Sequence, residues 1–173
     1  MSFWIRNRLL SLFFLTLLFV SLDQFSKIWI KNSLCHKTQY FLCKKLIIIP
    51  EMINLTYKEN SAAAFSIMST ISYEIRQPIL IFASLFGLFF FLSIYFKLKD
   101  SNFLVLLSFS LLLGGAIGNL IDRVRLGYVI DFIDISASSI GFPDFHWPVF
   151  NIADFFIVVS MIFILFFLSN NAK

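Results

Sequence analysis

Two aspartates, Asp131 and Asp154, lie in stretches of this sequence that are otherwise strongly apolar. Asp131 stands between Ile130 and Phe132, and Asp154 directly precedes the apolar run that begins at Phe155. A carboxylate at membrane depth costs about 3 kcal/mol or more, so such a residue is a functional-site hypothesis by default. Two of them on successive segments predict a pair that shares one proton and performs acid and base chemistry with carboxylates alone.

The composition is that of a membrane protein. Of the 173 residues, 59% are hydrophobic and 14% are charged, and the mean hydropathy is +0.86. Soluble domains carry about 25% charged residues. The length predicts one integral-membrane domain that covers residues 1–173. The net charge is +4, but the basic residues form no patch interleaved with aromatic side chains, so we expect no nucleic-acid partner.

Four apolar segments predict an all-α polytopic membrane protein. Each approximates the length of about 20 residues that a helix needs to cross the hydrocarbon core. The first segment follows two arginines, as the apolar region of a secretory signal peptide does. It lacks a small-x-small cleavage site, however, so we expect a retained helix. The segments cover about residues 9–30, 79–96, 103–121 and 149–168.

Basic residues predict the orientation of these segments. Arg6 and Arg8 precede the first segment, and Lys97 and Lys99 lie between the second and the third. Under the positive-inside rule both stretches are cytoplasmic, which places both termini inside and the two long connections outside. The connection after the first segment contains Lys37, Lys44, Lys45 and Lys58, which oppose this orientation, but long loops follow the rule less faithfully.

The connection after the first segment contains strand-like stretches and both cysteines. Thr38–Leu42, Leu46–Ile49 and Ile53–Tyr57 have the apolar or alternating pattern of strands. Cys35 and Cys43 lack the further paired ligands of a zinc site. They form either a disulfide, if the loop faces an oxidising compartment, or two free thiols.

Other catalytic chemistries lack their residues. The sequence has no Gly-x-Ser-x-Gly motif for a hydrolase serine and no His-Glu-x-x-His motif for a zinc protease. His146 is the one histidine outside the cysteine loop, and we expect it at the surface near the headgroups. Carboxylates are therefore the remaining candidates, and we expect no metal and no organic cofactor.

Further polar residues lie on the predicted helices. Asp23 and Lys27 are four residues apart and share a helix face, either as an ion pair that orients the helix or with a direct catalytic role. Gly114 and Gly118 form a small-xxx-small pattern that lets another helix approach closely. A cluster at the end of the third segment predicts a satisfied polar network that holds the loop leading to Asp131. Its members are Asn119, Asp122 and Arg123.

Five motifs, in order and together spanning most of the chain, closely resemble those of the bacterial lipoprotein signal peptidase family (signal peptidase II). They are Asp23-Gln24-Phe25-Ser26-Lys27, Asn60-Ser61-Ala62-Ala63-Ala64-Phe65-Ser66, Gly114-Gly115-Ala116-Ile117-Gly118-Asn119-Leu120-Ile121-Asp122-Arg123, Gly127-Tyr128-Val129-Ile130-Asp131-Phe132 and Phe150-Asn151-Ile152-Ala153-Asp154. One position differs, because the family usually has glycine where this chain has Ala62. The added methyl narrows the peptide channel slightly but leaves the chemistry intact.

The resemblance implies four transmembrane helices with a small extracytoplasmic β-cradle. It also implies an aspartic endopeptidase of the bacterial inner membrane, with its active site near the outer face. The substrates would be diacylglyceryl-modified prolipoproteins, cut before the lipidated cysteine. Membrane lipid is the other expected partner, and we expect a monomer. The catalytic pair falls on Asp131 and Asp154, and the supporting or substrate-binding positions are Asp23, Lys27, Asn60, Asn119, Asp122, Arg123 and Asn151.

Three alternatives remain open from the sequence. Asp134, three residues after Asp131, is an internal rival for the catalytic pair. A transporter or ion-pathway subunit also carries buried carboxylates, but such proteins usually show internal repeats and broken helices. The third alternative is a membrane scaffold protein whose acids are merely paired.

Overall fold

The computed structural model describes residues 7–35, 43–62, 71–98, 102–136 and 147–171, with side chains up to residue 167. The predicted strand Thr38–Leu42 and His146 lie outside the described residues. Within them the chain forms four helices and a three-stranded sheet. In chain order the elements are α1 (Arg8–Leu34), β1 (Leu46–Ile49), β2 (Ile53–Asn60), α2 (Tyr73–Lys97), α3 (Phe103–Leu126), β3 (Val129–Ile135) and α4 (Ile152–Asn171).

The described helices are those of a membrane protein. By length and hydropathy α1, α2 and α3 are each able to cross a membrane. The fourth helix, α4, contributes a shorter apolar stretch, Ile152–Phe167. The chain is therefore mostly helical, with three or four apolar helices, and the number of membrane crossings stays a prediction.

The bounds of the helices differ from those of the apolar segments that the sequence predicts. The first helix continues from residue 30 to Leu34, and α3 continues from residue 121 to Leu126. Helices end at caps rather than where hydropathy falls, and α3 ends where Gly127 adopts a left-handed conformation with φ of 79°. The second helix begins at Tyr73 rather than near residue 79, and it contains Pro78. The fourth begins at residue 152 rather than 149.

The sheet is antiparallel in the order β1-β2-β3. Its first two strands match predicted stretches, whereas β3, which contains Asp131, was not predicted as a strand. Val129 of β3 pairs with Asn60, the last residue of β2, and Lys58 pairs with Asp131. The pairing joins segments about 70 residues apart, so no local pattern near Asp131 could predict it.

The third helix is the centre of the bundle, and its glycines lie where other helices approach. A side chain at Gly114 would meet Phe19 of α1, and a side chain at Gly115 would meet the backbone of Ala153 at the start of α4. A side chain at Gly118 would meet the carboxylate of Asp23. The predicted close approach at Gly114 and Gly118 is confirmed, and both face α1.

The second helix buries few side chains fully. Only four of its residues are buried, and they lie near its two ends. Much of the remaining length exposes large apolar side chains, although Leu88, Phe91 and Leu92 pack against the core. At its C-terminal end the Arg8 guanidinium donates to the carbonyl oxygens of Tyr95 (2.7 Å) and Leu98 (2.9 Å) and lies 4.1 Å from the centre of the Tyr95 ring. At its N-terminal end the buried residues are Arg76, Gln77 and Leu80.

We expect Gly118→Ala to lower the stability of the protein, because the new methyl would overlap the carboxylate of Asp23, a fully buried side chain. Overpacking of this kind costs about 1–3 kcal/mol. The matched control is Gly87→Ala, since a methyl at Gly87 of α2 has no atom within 4 Å. Thermal unfolding of the purified protein in detergent measures both, and equal melting temperatures would contradict the close approach of α1 and α3.

Candidate active site

Asp131 is held on β3 by two side-chain amides. Its carboxylate accepts hydrogen bonds from Asn151 Nδ2 at Oδ1 and from Asn60 Nδ2 at Oδ2, both at 2.8 Å. The side chain is buried, with 2% of its surface exposed. A strand fixes the direction of its side chains by alternation, so the backbone of β3 and the two amides together define where this carboxylate points.

Asp154 is the third residue of α4 and takes part in the capping of that helix. Asn151 precedes the helix and accepts a hydrogen bond at Oδ1 from the Asp154 backbone N–H (3.0 Å). In return the Asn151 backbone N–H donates to Asp154 Oδ2 at 3.3 Å. This reciprocal arrangement is a capping box, and the positive end of the helix favours a negative charge at this position. The other carboxylate oxygen, Oδ1, accepts from Asn119 Nδ2 at 2.8 Å.

Asn151 bridges the two acids. Its side-chain amide donates to Asp131, and its backbone N–H donates to Asp154. Burial and the neighbouring charge of Asp154 raise the pKa of Asp131 to about 6, against the opposing effect of the bonds from Asn60 and Asn151. Asp131 therefore exchanges its proton close to neutral pH, which suits a residue that performs general acid–base catalysis.

Lys27 lies at the centre of a second, fully buried network. Its ammonium is 2.8 Å from Asp23 Oδ2, 2.9 Å from Asp122 Oδ2 and 2.9 Å from Asn119 Oδ1. Only 1% of the residue is exposed. The predicted Asp23–Lys27 ion pair is confirmed. It does not touch the two acids directly, but it reaches Asp154 through the amide of Asn119.

The carboxylates around Lys27 hold the elements that carry the two acids. Asp23 Oδ1 accepts a hydrogen bond from the backbone N–H of Ala153, in the first turn of α4 (3.2 Å). Asp122 Oδ2 accepts from the backbone N–H of Ile130, the residue before Asp131 (3.2 Å). The polar cluster at the end of α3 thus holds the segment leading to Asp131, as the sequence predicts.

Gln24 is a member of this network that the sequence analysis missed. Its Nε2 donates to Asp122 Oδ1 at 3.0 Å and to the Gly118 carbonyl at 3.1 Å. The signal available in the sequence was its place between Asp23 and Lys27 in a polar turn of an otherwise apolar helix.

Two residues lie apart from these hydrogen-bonded networks. Arg123 is half-buried and forms no ion pair with the described residues, although its charge acts on Asp122, Asp131 and Asp154 through space. Asp134, the internal rival, is paired with Lys45 at 2.8 Å. The Lys45 side chain is 51% exposed and that of Asp134 is 14% exposed, so this ion pair reaches solvent through the lysine.

The remaining sequence-predicted features fall beside this site. Ala62 is buried and its backbone N–H donates to Asn60 Oδ1 at 3.1 Å, so the methyl in place of the family's usual glycine is accommodated. Cys35 and Cys43 form a disulfide. Among the described residues no group of three or more His, Cys, Asp or Glu side chains is arranged to hold a metal ion.

One asparagine bridges the two carboxylates, and the pKa of one of them is raised towards neutral, so the arrangement is chemically able to perform acid–base catalysis. The model of the family described as signal peptidase (SPase) II matches residues 15–169. The chain therefore belongs to the signal peptidase II family, a family of aspartic peptidases.

Relatives and solved structures agree with this assignment. A lipoprotein signal peptidase of Buchnera aphidicola subsp. Schizaphis graminum is 42% identical over 147 residues, which is 84% of this chain and 85% of the relative. One of Clostridioides difficile is 36% identical over 160 residues, 90% of this chain and 95% of the relative. A bacterial membrane enzyme solved by the in meso method has a TM-score of 0.71 and 29% identity, and the match covers 94% of this chain and 90% of that one.

Proposed function

We propose that this chain is a membrane aspartic endopeptidase that removes the signal peptide from diacylglyceryl-modified prolipoproteins, with Asp131 and Asp154 as its catalytic pair. The observation that carries the proposal is the bridge through Asn151, because it brings two acids from distant segments into one hydrogen-bonded unit. The supporting residues are Asp23, Lys27, Asn60, Asn119, Asp122, Arg123 and Asn151.

The proposed mechanism needs one proton shared between the two acids. Two neighbouring carboxylates in a site of low dielectric constant do not both ionise readily, so the pair retains a proton. The ionised member takes a proton from water, whose oxygen attacks the scissile carbonyl carbon. The protonated member polarises the carbonyl oxygen and then supplies the proton with which the amine leaves as the C–N bond breaks. Titration belongs to the pair rather than to either residue.

Asp131→Asn and Asp154→Asn should each lower cleavage of a lipid-modified precursor by about 10³-fold or more, because each removes the base or the proton donor from a unit that acts together. The measurement is turnover by the purified protein in detergent. Asp134→Asn is the matched control and should keep near wild-type turnover, since Asp134 pairs with Lys45 outside the site. If Asp131→Asn or Asp154→Asn kept full activity and Asp134→Asn were inactive, Asp134 would have to be assigned to the catalytic pair instead.

The preference for a lipid-modified substrate is supported by where the pair lies. Asp154 is only partly buried, at the start of a helix whose other exposed residues include Phe155 and Val158. Acyl chains packed against the apolar helix surfaces would fix the scissile bond at Asp131 and Asp154, and binding energy from such a remote group raises turnover as well as affinity.

A precursor with a diacylglyceryl group on the cysteine after the cut should be cleaved much faster than the same precursor without it. Rates on the matched pair of precursors, with the same enzyme preparation, measure the contribution of the acyl chains. Equal rates would make a general signal-peptide protease the better description.

We further propose an inner-membrane protein with four crossings, cytoplasmic termini and an active site near the outer face. Cys35 follows the end of α1, and its disulfide with Cys43 supports an oxidising environment at that end. The site residue Lys27 lies in the C-terminal part of the same helix, whereas Arg8 lies at the opposite end. We also propose that the protein acts as a monomer.

A membrane-impermeant maleimide should label Cys35 and Cys43 in intact spheroplasts only after treatment with an impermeant reductant, because both would face the outside as a disulfide. The control is Lys97→Cys in a chain with both native cysteines replaced by alanine. That cysteine lies at the opposite end of the bundle, where α2 ends, and should be labelled only after the membrane is permeabilised. Labelling of Lys97→Cys from outside would contradict the proposed orientation and favour the reverse one.

A further inference from the structure

Two buried polar residues, Arg76 and Gln77, lie at the start of a helix that otherwise faces outwards. They are 8% and 7% exposed, and the neighbouring residues Ile75 and Ile79 are 58% and 43% exposed. Polar side chains buried at a membrane interface are costly unless their hydrogen bonds are made within the protein. Their partners therefore indicate what they do.

Both side chains bind the same residue, Ser61. Arg76 Nη2 donates to the Ser61 hydroxyl oxygen at 3.0 Å, and Gln77 Nε2 donates to the Ser61 backbone carbonyl at 2.8 Å. Ser61 directly follows Asn60, whose amide donates to Asp131. One residue of backbone therefore separates the two helix side chains from a hydrogen bond to a proposed catalytic acid.

Asn60 needs support from outside the sheet because it is the last residue of β2. Its pairing with Val129 is the last pair between β2 and β3, so no ladder bond beyond it fixes the direction of the chain. The Asn60 side chain is oriented by the turn that follows, because Oδ1 accepts from the backbone N–H of Ala62 and leaves Nδ2 directed at Asp131. A turn holds this orientation only while its own backbone is held, and the two bonds to Ser61 do that.

We propose that Arg76 and Gln77 are positioning residues for catalysis, which hold the turn at Ser61 so that Asn60 donates its hydrogen bond to Asp131. The proposal rests on the proposed function, in which Asp131 is one of the catalytic acids. It gives α2 a part in the reaction, although that helix contributes no side chain that bonds to either acid among the described residues. A hydrogen bond weakens steeply with distance and angle, so a small shift of the turn removes the Asn60 bond.

The sign of the expected pH effect follows from the charge of the acceptor. The Asn60 amide stabilises the ionised form of Asp131 and lowers the pKa of that carboxyl. Loss of the bond therefore raises the pKa of Asp131. The limb of the pH–rate profile that Asp131 controls should move to higher pH, whichever of the two catalytic parts Asp131 performs. The other groups that act on Asp131 are Asp154, Asn151, Lys27 and Arg123, and these variants leave all four in place.

The test compares Gln77→Met and Arg76→Met with Asn60→Ala in the purified full-length protein acting on a lipid-modified precursor. Each helix variant keeps much of the side-chain volume but loses the donor to Ser61. We expect kcat to fall about tenfold with little change in KM, and the Asp131 limb to move to higher pH as it does in Asn60→Ala. Gln77→Met combined with Asn60→Ala should be no slower than Asn60→Ala alone, because both changes remove the same interaction.

Three further variants keep the test decisive. Glu74→Gln changes an exposed residue of the same helical turn and should leave kcat and the pH profile unchanged. Arg76→Lys keeps the charge but not the guanidinium geometry, and should show a partial shift of the pH limb. If a helix variant does not accumulate, Ser61→Ala removes the hydroxyl acceptor of Arg76 from the other side and should give the same shift in the same direction.

Two results would overturn the inference. One is a fall in kcat in Gln77→Met or Ser61→Ala with an unmoved pH profile, since a purely structural role gives that outcome. The other is full additivity of Gln77→Met with Asn60→Ala. Failure of the proposed function is distinguishable from both, because the wild-type protein would then leave the precursor uncut or Asp131→Asn would still cleave it.

Discussion

The rest of the structure depends on the hydrogen bonds and ion pairs of the buried Lys27 ammonium. Removing such a charge from water costs several kcal/mol, and the cost is offset only where its donors are satisfied. Here two carboxylates and one amide oxygen accept from it, and all four side chains are buried. Loss of one partner of such a group costs about 3–5 kcal/mol, so α1 and α3 are fixed relative to one another at this point.

The acids that satisfy Lys27 also make the contacts that place the catalytic candidates. Asp23 uses one oxygen for Lys27 and the other for the first turn of α4. Asp122 divides its oxygens in a similar way, between Gln24 on one side and Lys27 with the N–H of Ile130 on the other. The ion pairs are therefore part of the geometry of Asp131 and Asp154, and an apolar core of the same volume would not supply these directions.

Local patterns predicted the parts of the site that depend on neighbours in sequence. The Asp23–Lys27 pair follows from helix periodicity, and the two acids stood out because their surroundings are apolar. The strand β3 and the contacts of Arg76 and Gln77 with Ser61 could not be predicted in this way, because they join distant segments. The start of α2 was also missed, because the segment was predicted from its apolar residues alone and the first turns of the helix contain Glu74, Arg76 and Gln77.

The hydrogen bonds that cap α4 also hold the two acids together, so the arrangement of the acids depends on the order of one helix turn. Helix ends generally open and close more readily than helix centres. In this chain the side chains of Asn151 and Asp154 that close the first turn also join the two acids. An opening of that turn would therefore separate the two acids, and in the proposed mechanism it would interrupt turnover.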